Sequence, residues 1–263
     1  MHVADTRAAQ SELIGQLRKR PDDVDARLQL FRYAVVDGNW DRALNQLDVA
    51  ERLDAGLSHT ALVYRRNIVC EGLRQRVFGG EGTPLFLGTP PPWIGYLVEA
   101  LRAEDDETSA KLVQAALGAA RCASGIIDGA PFAWLADADS RLGPVLEAFI
   151  DGKYYWVPFE HCSRIAIPAP EDLLDLAWCP AELTLTNGGT CNGYIPTRYP
   201  SCAADATDTA DALKLARLTE WHPWSDSLQK GAGQRMFVSD AGDYALLDCR
   251  EIRFDALPAD LPQ

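Results

Sequence analysis

Apolar positions recur at helical spacing through the first half of the chain and at strand-like spacing through the second. Val24, Leu28, Phe31 and Val35 step by four, three and four residues and share one helical face; Trp40, Ala43, Leu44, Leu47 and Ala50 form another. Between them Gly38 can supply the left-handed backbone that ends one helix, and Asn39 the oxygen that caps the next. Residues 25–54 therefore predict two antiparallel helices. Leu13 and Leu17 predict an earlier helix over 7–20, capped by Thr6 and stopped by Pro21, with the basic run Arg18-Lys19-Arg20 as a solvated helix end. Further helices are expected over 57–78, 93–104 and 108–123, with 84–92 as a loop or short crossover and Glu104-Asp105-Asp106-Glu107 placing negative charge at a helix start.

Gly38, Trp40, Ala43, Leu47 and Ala50 fall at the offsets of a tetratricopeptide unit, and Gly72 follows Gly38 by 34 residues, the period of that repeat. The stretch GGEGTPLFLGTPPP over 79–92 then breaks the period, so the sequence predicts one unit with flanking helices and no array. After Ile126 the pattern changes. Residues 145–150 and 153–158 flank Asp151-Gly152, a pair that accepts the positive φ values of a type I′ turn, and so predict a β-hairpin. More strands are expected over 165–167, 183–186, 236–239 and 244–248, with a helix over 211–221. The fold class expected is α+β: a tetratricopeptide-like helical domain, 1–124, then a mixed, mainly antiparallel β domain with short helices, 125–263.

With 263 residues, 47% of them hydrophobic, and 7 Trp, the chain can bury a substantial core. Its longest apolar runs fall well short of the roughly 20 residues that span a bilayer, and its start lacks a basic and apolar signal, so the cytoplasm is the expected compartment. Seven scattered cysteines without a CxxC pair point to reduced thiols and not to structural zinc. The formal charge of −13 divides into +1 for residues 1–80 and −14 for 81–263. Such an acidic balance argues against nucleic acid or an anionic membrane as partner.

Several short strings carry more information together than apart: residues 136–144 (ADADSRLGP), 154–158 (YYWVP), 175–178 (DLAW), 196–200 (PTRYP), 216–221 (ARLTEW) and 233–235 (GQR), with Leu30-Phe31, Gly38-Asn39-Trp40 and Asp41-Arg42-Ala43 before them. In this order, over nearly the whole chain, they resemble the ImpE/TagJ family, accessory proteins of the bacterial type VI secretion system. The resemblance implies a cytoplasmic, non-enzymatic protein without a cofactor. It also implies binding to the small sheath subunit TssB, through a helix near that subunit's N-terminus, and a link to the sheath-disassembling ATPase ClpV. It brings no catalytic residue with it.

Read from the residues alone, the most enzyme-like feature is Asp137 and Asp139 before Ser140 and Arg141. With His161 or Glu160 the two carboxylates would suit a divalent cation and a hydrolase-like reaction. The preferred reading is a structural polar network in which Asp137 and Asp139 accept loop amides and pair with Arg141, Arg198 or Arg235, because no nucleophile, base or ligand signature accompanies them. His161-Cys162 lacks a visible group to orient a catalytic base and reads as a buried thiol beside a histidine. Residues 187–190 (NGGT) read as a turn and not a phosphate loop, since no Lys-Ser/Thr follows. If the tetratricopeptide analogy holds, the first helix of the central pair lines a concave face, which makes Asp25, Arg32 and Val36 candidate partner contacts; an ordinary exposed helix face is the alternative.

Overall fold

A computed structural model describes residues 6–200, 210–225 and 227–256. Its helical part runs through α1 (Thr6–Lys19), α2 (Val24–Val36), α3 (Trp40–Leu53), a 3-10 turn Ala55–Leu57 and α4 (Ser58–Phe78). After the two-residue strand β1 (Leu85–Phe86) follow α5 (Ile94–Arg102) and α6 (Asp106–Ala119). Short polar side chains set the boundaries. Asp23 accepts the amide of Ala26 at 3.0 Å, Asn39 that of Arg42 at 3.1 Å and Asp105 that of Thr108 at 2.8 Å, each satisfying an otherwise orphaned helix N–H. Gly38, at φ 71, turns the chain between α2 and α3. Ser58 opens α4 and donates its hydroxyl to the Ala55 carbonyl.

The second half contains β2 (Gly125–Ile127), β3 (Ala130–Phe132), β4 (Leu135–Asp137), β5 (Val145–Ile150), β6 (Lys153–Pro158), β7 (Cys162–Ala166), β8 (Trp178–Leu185) and β9 (Thr190–Pro196). These are followed by the short α7 (Ala210–Lys214), β10 (Thr219–Ser225), β11 (Leu228–Gly233), β12 (Met236–Ser239), β13 (Asp243–Ala245) and β14 (Glu251–Phe254). Among the described residues a nine-stranded sheet has the order β1-β6-β5-β9-β8-β7-β14-β2-β3, antiparallel throughout except where β1 lies parallel to β6. The β5–β6 hairpin turns on Asp151 at φ 51 and Gly152 at φ 74, the positive pair its turn type needs. Residues 187–190 turn between β8 and β9.

Two expectations are overturned in this half: the strand expected over 244–248 gives way after Ala245 to a 3-10 turn, Leu246–Asp248, and a helix becomes a strand. The helix over 211–221 stops at Lys214, because Ala216 is left-handed at φ 51, and residues 219–225 form a strand against β11. Bare backbone on that partner makes the packing possible. A Cβ on Gly231 would lie 2.3 Å from the Tyr199 ring, which sits 5.7 Å from Trp221.

Strand alternation directs β5 to both sides. Val145 and Phe149 join an apolar cluster with Phe31, Leu47, Leu97 and Val113 of the helices, while Leu146, Ala148 and Ile150 join a second cluster behind the sheet. That rear face is closed by the small sheet β13-β12-β4, whose Phe237 meets Phe159 at 5.9 Å. The first cluster is continuous from the helices into Tyr154, Trp156 and Trp178 of the sheet. The α2–α3 pair packs accordingly on the sheet: Trp40 stacks on Trp178 at 6.1 Å.

Candidate functional site

Between Val145 and Phe149 the alternation of β5 aims Glu147 into the apolar helical side, where it is 0% exposed. A bare carboxylate there would be prohibitively desolvated. Arg74, one of the polar residues on the buried face of α4, reaches it with Nε and Nη2 at 2.7 and 2.8 Å, a bidentate pair. Arg235, following β11, donates to the same carboxylate and, with its other terminal nitrogen, to Asp137. Tyr154 donates its hydroxyl to Glu147 at 2.5 Å and accepts from the Trp156 indole. On the α4 side Trp178 donates to Glu71 at 2.9 Å, and Glu71 lies 3.5 Å from Arg74.

The chain of contacts continues through the tight loop after β4. Asp137 also accepts from the Tyr199 hydroxyl at 2.8 Å and from the amide of Asp139 at 2.9 Å. Asp139 accepts the amide and guanidinium of Arg141 and the amide of Gly231. Arg74 and Arg141 both lie over the Phe78 ring, at 5.7 and 5.1 Å. Arg198 is not paired with these acids. Its guanidinium donates to the carbonyls of Val36 at 2.6 Å and Lys214 at 2.7 Å, so it closes the C-terminal end of α2, where a cation is favoured.

The two central acids differ electrostatically. Burial works against charge on Glu147, but two arginines more than offset it and bring its carboxyl down to about 2. Burial pushes Asp137 up; Arg235 only partly offsets this and the neighbouring Asp139 adds to it, leaving the group at about 7. These residues consequently fasten α4 and the ends of several strands to one another through charge-assisted bonds.

The metal and thiol alternatives have little geometric support. Both carboxylates face arginines and amides; His161 directs Nδ1 at the Leu87 carbonyl, and Glu160 accepts the Trp93 indole N–H at 2.8 Å. Among the described residues, no group of three or more His, Cys, Asp or Glu is arranged to hold a metal ion. The Cys162 thiol points to the Pro158 carbonyl and burial pushes it up to about 12, which disfavours a thiolate nucleophile.

The three α2 candidates meet different fates. Asp25 is exposed beside a shallow depression of about 540 Å³ between α1 and α2, shared with Leu13, Gln16 and Gln29. Arg32 is engaged at 3.0 Å with Asp172, which caps the 3-10 turn Leu173–Leu176 against α2. Val36 is 2% exposed and offers no side chain to a partner. The supposedly concave face of α2 is thus partly covered by the sheet region's own chain. A larger cleft of about 740 Å³ lies elsewhere, between α4 and the sheet, with Arg66, Asn67, Asp151 and Tyr194 on its walls. It opens where β5 and β9 share only the Phe149–Tyr194 pairing. Sequence reasoning missed it, as it missed Glu147, Arg74 and Glu71.

Architecture and site together define an α+β protein in which a helical layer is locked onto a mainly antiparallel sheet by buried ions. Residues 129–253 match the family model described as ImpE protein. Over 249 residues the chain is 44% identical to the type VI secretion system accessory component TagJ of Pseudomonas aeruginosa, spanning 93% of this chain and 85% of that protein. The chain belongs to the ImpE family. The crystal structure of protein VPA1032 from Vibrio parahaemolyticus, 22% identical, shares the fold with a TM-score of 0.85 over 95% of this chain and 94% of that one.

Proposed function

We propose that the protein is a non-enzymatic accessory component of a bacterial type VI secretion system. It acts in the cytoplasm as an adaptor that binds the small sheath subunit TssB through that subunit's N-terminal helix and links the sheath to the ClpV ATPase. The observation that carries this reading is the 44% identity, over most of both chains, to a relative named as such an accessory component. The use of Asp137, Asp139, Arg141 and Arg235 in mutual bonding supports a bracing role for these residues over catalysis. No helix among the described residues is long and apolar enough to cross a membrane, which is compatible with action at a protein assembly. Of the three α2 candidates Asp25 is the one still open to a partner; Arg32 and Val36 would contribute by holding α2 in place. A pull-down with tagged protein from cells expressing the complete secretion cluster is expected to recover TssB, with ClpV as the next partner. Recovery of neither would overturn the adaptor reading.

A further inference from the structure

The buried side of α4 carries Glu71 and Arg74 of the brace, and Asn67, among the apolar Ala61, Ile68, Cys70 and Val77, while Leu62, Val69 and Leu73 stand 43%, 58% and 41% exposed. Spacings of seven and four put these three on one face, covering about 16 Å at 1.5 Å per residue, some three turns. Single exposed leucines are ordinary; three aligned on one helix, away from its buried side, are not explained by folding. Arg66 lies in the same row. It makes no ion pair among the described residues, and its aliphatic stem packs over Gly152. Arg76 continues the row with only a 3.9 Å contact to Glu81.

Next to this row is the α4–sheet cleft, in which Arg66 also takes part. Its wall residue Asn67 is 3% exposed and has no hydrogen-bond partner for Nδ2. A buried amide donor unmatched by the described chain is satisfied by a water in the cleft or by an acceptor that a ligand brings there.

The geometry points to the exposed face of α4, with the adjoining cleft, as the docking surface for an amphipathic helix whose apolar stripe is flanked by carboxylates. The stripe length matches one short helix. Arg66 and Arg76 form a cationic edge on a protein of net charge −13, so charge complementarity selects an acidic partner. A second copy is disfavoured, since a two-fold pairing of α4 helices would bring like guanidinium groups together. This inference rests on the adaptor reading and moves the contact from α2 to α4.

The test is titration of the purified full chain with a labelled synthetic peptide spanning the N-terminal helix of the cognate TssB. Val69→Asp and Arg66→Glu are both exposed changes, and unchanged thermal unfolding establishes that each variant is folded. Each is expected to weaken binding about tenfold or more, as for central interface residues, while Asp25→Ala changes it little. A peptide with a glutamate or aspartate replaced by lysine is expected to recover affinity for Arg66→Glu. Absence of binding to the wild-type chain would remove the adaptor reading itself. Binding that is equal for wild type and both α4 variants would overturn only the surface assigned here. Concentration-dependent self-association abolished by Val69→Asp and unaffected by peptide would also overturn it, making a second copy the occupant.

Discussion

Glu147→Gln is the most informative single change in the brace. It removes one charge and few atoms, but leaves Arg74 and Arg235 buried, at 4% and 0% exposure, without their shared counter-ion. Breaking a buried pair outright costs about 3–5 kcal/mol, and because Glu71 stays beside Arg74 and Asp137 beside Arg235 the cost here falls toward the lower end, about 3 kcal/mol. At roughly 2–4 °C per kcal/mol for chains of this size, the melting temperature should fall by about 10 °C. The surface variant Arg164→Ala, which loses solvent-screened pairs with Glu182 and Glu251, should leave the melting temperature close to that of wild type. The same carboxyl has a pH signature. Its folded pKa of about 2 lies below the ordinary 4.5, so its stabilisation is complete above about pH 4.5 and is lost as the pH falls toward 2. The corresponding contribution is about 3 kcal/mol, at roughly 1.4 kcal/mol per pH unit. Urea unfolding of wild type and Glu147→Gln between pH 3 and 6 measures both effects. A variant within 2 °C of wild type, by the scale of surface pairs, or one with the same acid slope, would refute the claim that this ion cluster holds the layers together.

Other consequences follow from the same geometry. Asp137, at about 7 when folded against an ordinary 3.8, destabilises the fold progressively as the pH rises between those values; Asp137→Asn should flatten that slope in the same unfolding series, and an unchanged slope would contradict it. Gly231→Ala would place a methyl 2.3 Å from a Tyr199 ring held by Asp137 and Met236, costing about 1–3 kcal/mol and altering the near-ultraviolet dichroism; an unaltered spectrum and melting temperature would show that the ring yields. Thiol reagents should modify exposed Cys122 rapidly, and Cys70, Cys162, Cys179 and Cys249 only on unfolding, since burial pushes each of these four up to about 12; fast modification of Cys162 in the native protein would reopen the His161-Cys162 question.

Local signals proved readable where they acted locally. Asp151-Gly152 dictates its hairpin through two positive φ values, and Gly38-Asn39 ends one helix and caps the next within a few residues. Residues 219–225 were obscured because their strand depends on Gly231 leaving room for Tyr199, a requirement set in three dimensions. The site divides in the same way. Asp137, Asp139 and Arg141 stand out as a tight charged loop, but Glu147 sits inside a hydrophobic strand pattern and its partners lie 73 and 88 residues away. The surroundings of α2 were hidden for a related reason: the turn Leu173–Leu176 that packs against it is anchored by Asp172 to Arg32, a contact across 140 residues. Helical periodicity located α1 to α6 but could not say that α4 buries Asn67, Glu71 and Arg74 while exposing Leu62, Val69 and Leu73.

The adaptor reading is tested most directly by mixing the purified chain with purified cognate TssB, either complete or lacking its N-terminal helix, and measuring association by sedimentation or calorimetry. Complete TssB is expected to bind with a dissociation constant at or below about 10 μM, and the truncated subunit not to bind. Equal binding of both forms, or none by the complete subunit at about 100 μM, would contradict the account.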